Sequence, residues 1–167
     1  MTLKVPPKEE ASCHPNTLSQ VLFVDDDEDS GEMLSLLLRS HRIEVTRARS
    51  AAEAWPKIES GCFSLYLLDV WLRQLDGLEL CRQIRERDST TPILFYSGAA
   101  YDADKQAGIA AGANAYVTKP DVEGLVAVLL RLIEESRLFH VSARLGSNQP
   151  HPAEKWFPAQ FLNVEPA

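Results

Sequence analysis

The chain is short of cysteine, of long apolar runs and of positive charge, and each shortage closes off a class of protein. Its three cysteines, Cys13, Cys62 and Cys81, stand at spacings that form no metal-ligand set, and the odd count suits reduced thiols in a cytoplasm. Cys62 and Cys81 read as small residues in or near a core, and Cys13 as part of a tail. The longest apolar runs, VLFV and LVAVLL, fall far short of the roughly 20 residues a membrane-crossing helix needs, so no membrane partner is expected. The opening MTLKVPPKEEASCHP lacks the apolar stretch of a secretory signal. Lys and Arg number 17 against 24 Asp and Glu, a net charge of −7, which repels phosphate backbones and argues against nucleic acid while leaving a basic partner open. No internal repeat is evident.

What is present is one domain with flanking segments. Hydrophobic residues make up 45% of the 167 and charged residues 25%, the balance of a soluble globular protein. Residues 1–19, with Pro6, Pro7 and Pro15, read as a flexible extension, 20–139 as the folded domain, and 140–167 as a tail. Short apolar runs alternate with helical periodicity across that domain. VLFV (21–24), IEVTRA (43–48), LYLL (65–68), ILFY (93–96) and AYVT (115–118) read as strands. Helices are expected over 29–40, from a Ser50 cap to about Ser60, over 76–87, over about 103–111 and from about Val122 to Phe139. Pro56 should kink or shorten the second of these. Five strands alternating with five helices predict an α/β domain with a parallel sheet. The unbroken apolarity of strands one, three and four predicts helices on both faces.

In such sheets ligands bind beyond the carboxyl ends of the strands. Asp25, Asp26 and Asp27 follow VLFV, Asp69 follows LYLL, Ser97 follows ILFY, and Lys119 with Pro120 follows AYVT. Any one of these alone reads as a turn, cap or solvated residue; four polar ends after four apolar strands read as a site. Carboxylates gathered together repel one another, and a hard divalent cation relieves that, so Asp26, Asp69 and Asp25 point to Mg²⁺. A carboxylate is also a nucleophile toward a phosphoryl group, with Lys119 and Ser97 suited to neutralise and hydrogen-bond the group in transit. Asp27, Glu28 and Asp29 read as the acidic start of the first helix.

VLFVDDDED, LYLLDVWLRQLDGLELCRQIR, TPILFYSGAA and AGANAYVTKP, in that order over roughly residues 20–139, resemble the receiver domains of two-component response regulators. The resemblance implies a flavodoxin-like, doubly wound sheet of order 2-1-3-4-5. It implies that Asp69 is the phosphoacceptor, served by a histidine kinase or phosphotransfer protein. Asp26, Asp69 and the backbone carbonyl of Trp71 would ligate Mg²⁺, with Asp25 acting through water. Ser97 would bond the phosphoryl group, Lys119 would pair with it, Tyr116 would be the aromatic that turns inward when Ser97 moves, and the peptide before Pro120 would be cis.

The sequence departs from the family at several points. Arg73 stands where the family usually has proline; it reads as an exposed residue, or as a cation close enough to contact phosphate or a partner. Trp71 and Ala99 are expected to restrict water near the acceptor, or Trp71 to serve docking. Gly98 should loosen its loop, and Asp121 should cap the last helix. That helix carries apolar residues on more than one face, from Val122 to Ile133, which suggests a surface for a downstream protein or a second copy. The tail, with Trp156, Phe157, Phe161 and Leu162 among its prolines, reads as too short for a DNA-binding or enzymatic output domain, so a stand-alone receiver is expected, in the cytoplasm and without enzymatic turnover. Two alternatives stand beside this reading: a phosphatase of the haloacid-dehalogenase type using Asp25, whose later paired acidic motif is missing, and a receiver-like scaffold that works without phosphorylation.

Overall fold

A computed structural model describes residues 18–73 and 75–144, with side chains through Val141. Its strands are β1 (Ser19–Val24), β2 (Ile43–Ala48), β3 (Leu65–Leu68), β4 (Ile93–Ser97) and β5 (Ala115–Thr118). The helices that alternate with them are α1 (Glu28–Ser40), α2 (Ala51–Ser60), α3 (Gly77–Arg87), α4 (Asp102–Ala110) and α5 (Val122–Arg144). The strands pair in parallel in the order β2-β1-β3-β4-β5, the doubly wound, flavodoxin-like arrangement.

Successive side chains of a strand point to opposite faces, and here both faces are covered. Leu22, Val24, Tyr66, Leu68 and Phe95 pack with Ala54 and Ile58 of α2 and with Leu80, Cys81 and Ile84 of α3. Their sequence neighbours Val21, Phe23, Leu65, Leu67, Leu94 and Tyr96 pack on the other face with Leu34 and Leu38 of α1 and Leu125, Leu129, Leu132 and Ile133 of α5. Hence the unbroken apolar runs VLFV, LYLL and ILFY of β1, β3 and β4: no position in these runs faces water. Each fully buried Leu, Ile, Val or Phe contributes roughly 1.5–3 kcal/mol, so the three central strands are the stiffest base the fold offers.

Local signals set the helix starts. Asp27, Ser50, Asp76 and Asp121 accept backbone N–H bonds from Asp29, Glu53, Leu78 and Gly124, at 3.2, 3.2, 3.0 and 2.8 Å. Some boundaries differ from the sequence expectation. Pro56 sits within α2, which nonetheless continues to Ser60. β1 begins at Ser19, inside the expected extension, and α5 runs five residues past Phe139, since no glycine or proline interrupts HVSAR. Cys81 is buried as expected, whereas Cys62 is exposed, because it falls in the α2–β3 connection and not on a packed face. On α5, Leu130, Leu138 and Val141 are exposed beside the packed stripe. Cys13, the rest of the expected extension and the tail aromatics lie outside the described residues. Among the described residues no helix is long and apolar enough to cross a membrane.

Candidate functional site at the carboxyl edge of the sheet

The residues that follow β1, β3 and β5 are held by one further rung of the sheet ladder. The amides of Asp25, Asp69 and Lys119 donate to the carbonyls of Ala48, Val24 and Ser97, at 3.0, 2.9 and 2.9 Å. Their side chains therefore leave a rigid frame at one edge. Asp69 is buried, and its carboxylate is gripped on both oxygens. Oδ1 accepts the Ser97 hydroxyl and, at 3.2 Å, the Trp71 amide; Oδ2 accepts Lys119 Nζ at 2.9 Å. The same ammonium donates to Asp25 Oδ2 at 2.7 Å, and Asp25 Oδ1 accepts the Asp27 amide at 2.9 Å. Asp25, Asp69, Ser97 and Lys119 thus meet at one point, though up to 94 residues separate them in sequence.

The electrostatics are unevenly balanced. Burial pushes the Asp25 carboxyl above its usual range despite the hydrogen bond from Lys119, and Asp69 nearby adds to the rise. Burial pulls the Lys119 ammonium down, but its bonds to Asp25 and Asp69 outweigh that and leave it above the usual lysine range. Asp26 lies nearer solvent, and its Oδ2 accepts Arg73 Nε at 2.8 Å. Three carboxylates therefore share two cations.

The acceptor segment is fixed at both ends. Past the Trp71 amide bond it returns to the Gly77 amide, which donates to the Val70 carbonyl at 2.8 Å. A Cβ at position 77 would fall on the Asp69 carbonyl oxygen, so the Asp-Gly pair is required by close approach, not by turn geometry alone. The Trp71 indole is 69% exposed, while Ala99 is buried. Tyr116 is half-buried, its ring 5.7 Å from Phe95, and its hydroxyl donates to the Ala99 carbonyl at 2.7 Å. The Lys119–Pro120 peptide is cis.

The donor set suits a hard divalent cation in kind, being carboxylate and carbonyl oxygen throughout. Asp25 and Asp69 already converge on a single positive charge. Among the described residues, however, no three acidic, histidine or cysteine side chains stand close enough to share an ion; Asp26 is engaged by Arg73. Sequence reasoning placed Arg73 near the site without identifying Asp26 as its partner. It also did not find the Ala99 carbonyl that receives Tyr116, a backbone group that leaves no mark in the sequence.

Residues 21–130 match the family described as the response regulator receiver domain. Among relatives, the chain is 39% identical over 108 residues to the uncharacterized transcriptional regulatory protein YkoG of Bacillus subtilis, covering 64% of this chain and 47% of that one. Among solved structures it resembles a CheY-like response regulator receiver domain protein from Methanospirillum hungatei, with TM-score 0.68, 28% identity and coverage of 72% of this chain and 98% of that one. It also resembles the chemotaxis response regulator CheY4 of Vibrio cholerae, with TM-score 0.65, 31% identity and coverage of 70% and 99%. The chain spans about half the length of the curated relatives it matches.

Proposed function

Because the chain belongs to the response regulator receiver domain family, we propose that Asp69 accepts a phosphoryl group from the phosphohistidine of a histidine kinase or phosphotransfer protein. The resulting aspartyl phosphate switches a protein-binding surface. The observation that carries this reading is the grip on Asp69: a buried carboxylate held by Ser97, by Lys119 and by the Trp71 amide. In the transfer, one carboxylate oxygen forms the new bond to phosphorus as the bond to the kinase's imidazole nitrogen breaks. Lys119 neutralises negative charge on the group in transit, and Ser97 donates a hydrogen bond to it. Asp26, Asp69 and the Trp71 carbonyl would hold Mg²⁺, with Asp25 acting through water; the ion would supply charge neutralisation at the phosphoryl oxygens.

The readout passes through the β4–α4 loop. Ser97 opens that loop and Ala99 holds the Tyr116 hydroxyl, so a shift of Ser97 toward a phosphoryl oxygen bears directly on the tyrosine's anchor. The exposed apolar residues of α5 are a surface for a downstream protein or a second copy. The domain assists its own phosphorylation and dephosphorylation and otherwise has no turnover. It works in the cytoplasm, without membrane contact, and these residues require no nucleic acid. The domain is the unit of elements from Ser19 to Arg144, slightly wider than the 20–139 expected, with the rest flanking it. The phosphatase reading through Asp25 is not favoured, since residues 21–130 match the receiver family and that reading leaves Asp69 without a role.

The test is acetyl phosphate with Mg²⁺ on the wild type and on Asp69→Asn, followed by intact mass. Wild type gains one phosphoryl group that is lost in base, and Asp69→Asn gains none. Equal labelling of the two proteins, or turnover of phosphate esters that depends on Asp25, would overturn the assignment.

A further inference from the structure

We propose that Arg73 is a tethered cation that competes with a divalent metal ion for Asp26. The proposal rests on the reading that this pocket binds Mg²⁺. Of the three carboxylates, Asp26 is the one open to solvent: its side chain is 26% exposed, against 1% for Asp25 and 9% for Asp69. A metal arriving from water therefore meets Asp26 first. In this structure that carboxylate accepts the Arg73 Nε–H at 2.8 Å, from a residue 47 positions away in sequence. The contact spans two strand ends, joining the loop after β1 to the loop after β3. Arg73 is itself 75% exposed and makes no other ion pair among the described residues.

The loop makes this arrangement reproducible. Trp71, two residues before Arg73, is pinned by its amide bond to Asp69, so the chain enters Arg73 from a point held at the acidic edge. A guanidinium on Asp26 and a divalent ion at the same carboxylate repel one another, so metal entry displaces or weakens the Arg73 contact. The contact itself is exposed and solvent-screened. Such pairs are worth up to roughly a fivefold factor in an equilibrium constant, strong enough to weaken metal binding and too weak to prevent it. The pocket then has two sources of positive charge beyond Lys119: an internal one that is always at hand, and an external one that must outcompete it. Arg73 is thus a positioning residue that sets how much divalent cation the acceptor needs before it is ready for phosphoryl transfer.

The test is a MgCl₂ titration of the full chain, without phosphodonor, followed by ¹⁵N–¹H NMR at the backbone amides of Asp26 and Trp71 and at the Arg73 Nε–H. The proteins are the wild type, Arg73→Gln and Arg73→Lys. Arg73→Gln should bind Mg²⁺ about three- to fivefold more tightly at low salt, the gap narrowing as ionic strength rises. Arg73→Lys, which keeps the charge, should stay within about twofold of wild type. In the wild type, the Arg73 Nε–H signal should move in step with metal saturation, a response that long-range charge alone would not give. Equal affinities for wild type and Arg73→Gln, or an Nε–H signal that stays put while the amides titrate, would overturn the proposal and leave the Mg²⁺ reading intact. Absence of Mg²⁺ binding in every protein would overturn both.

Discussion

At the edge where the strands begin, half-buried Arg85 spends its hydrogen bonds on neutral oxygens: the carbonyls of Gly112, Asp88 and Thr91 and the Asn114 side chain, at 2.8, 3.0, 2.7 and 2.8 Å. The neighbouring Asp88 carboxylate accepts from Thr90, Thr91 and Tyr66. At the edge where the strands end, three carboxylates share Lys119 and Arg73. Among the described residues neither edge leaves a buried side-chain polar atom without a partner, so the two do not differ in hydrogen-bond satisfaction. They differ in charge. Burial works against the Asp88 carboxylate, but its hydrogen bonds from Thr91 and Thr90 outweigh that and hold it below the usual carboxylate range. Burial prevails at Asp25 and holds it above. One edge is built to stay as it is; the other carries an unspent attraction for positive charge, which is what a site that receives cations and phosphoryl groups requires.

The comparison can be pressed hardest at Arg85. Arg85→Met keeps the length of the side chain and removes the arginine donors from the carbonyls of Gly112, Asp88 and Thr91, and should cost about 3 kcal/mol in urea denaturation. Acetyl phosphate labelling of the folded protein at Asp69 should persist. Loss of labelling without loss of stability would mean that the two edges are not separable. A smaller effect of opposite sign is expected at Asp25. Its carboxyl holds a proton more tightly folded than unfolded, so as pH rises from the unfolded value near 3.8 the native state is the one binding the extra proton, and stability falls across that window. In metal-free buffer Asp25→Asn should therefore raise the urea midpoint at pH 7, with the gain fading on acidification toward 3.8. A midpoint that drops at pH 7 would show that the carboxylate is well served where it stands. The smallest change is expected at Gly98, in the loop of the charged edge. An added Cβ there meets nothing within 4 Å, so Gly98→Ala should stabilise by about 0.4–1 kcal/mol through the unfolded chain. A destabilised variant would reveal a backbone need for glycine in that loop.

The fold was legible because the central strands are buried on both faces. β1, β3 and β4 therefore advertise themselves as unbroken apolar runs, and whatever follows each run must lie at one edge. Asp25, Asp69, Ser97 and Lys119 were found by that rule, and the meeting of Asp25 and Asp69 on the Lys119 ammonium, with Ser97 on Asp69, follows from it. Interactions made by side chains that reach sideways left no such trace. Arg85 and Asn114 carry no signal in the sequence, because Arg85 bonds mostly backbone carbonyls and the Asn114 side chain receives Arg85 and the Ile93 amide. Arg73 was conspicuous as a departure from the family pattern, yet its partner 47 positions away could be assigned only once both loops had been placed.

The contact between Gly77 and the Asp69 carbonyl has a bearing on how this protein can vary. With no space between the start of α3 and the acceptor's own backbone, a residue inserted into or deleted from the path from Asp69 to Gly77 would be felt at the nucleophile. Change is then confined to which side chains the path carries outward. Trp71 and Arg73 both stand on that stretch, so a lineage could retune how readily its acceptor is charged by exchanging side chains there while the track beneath them stays the same length.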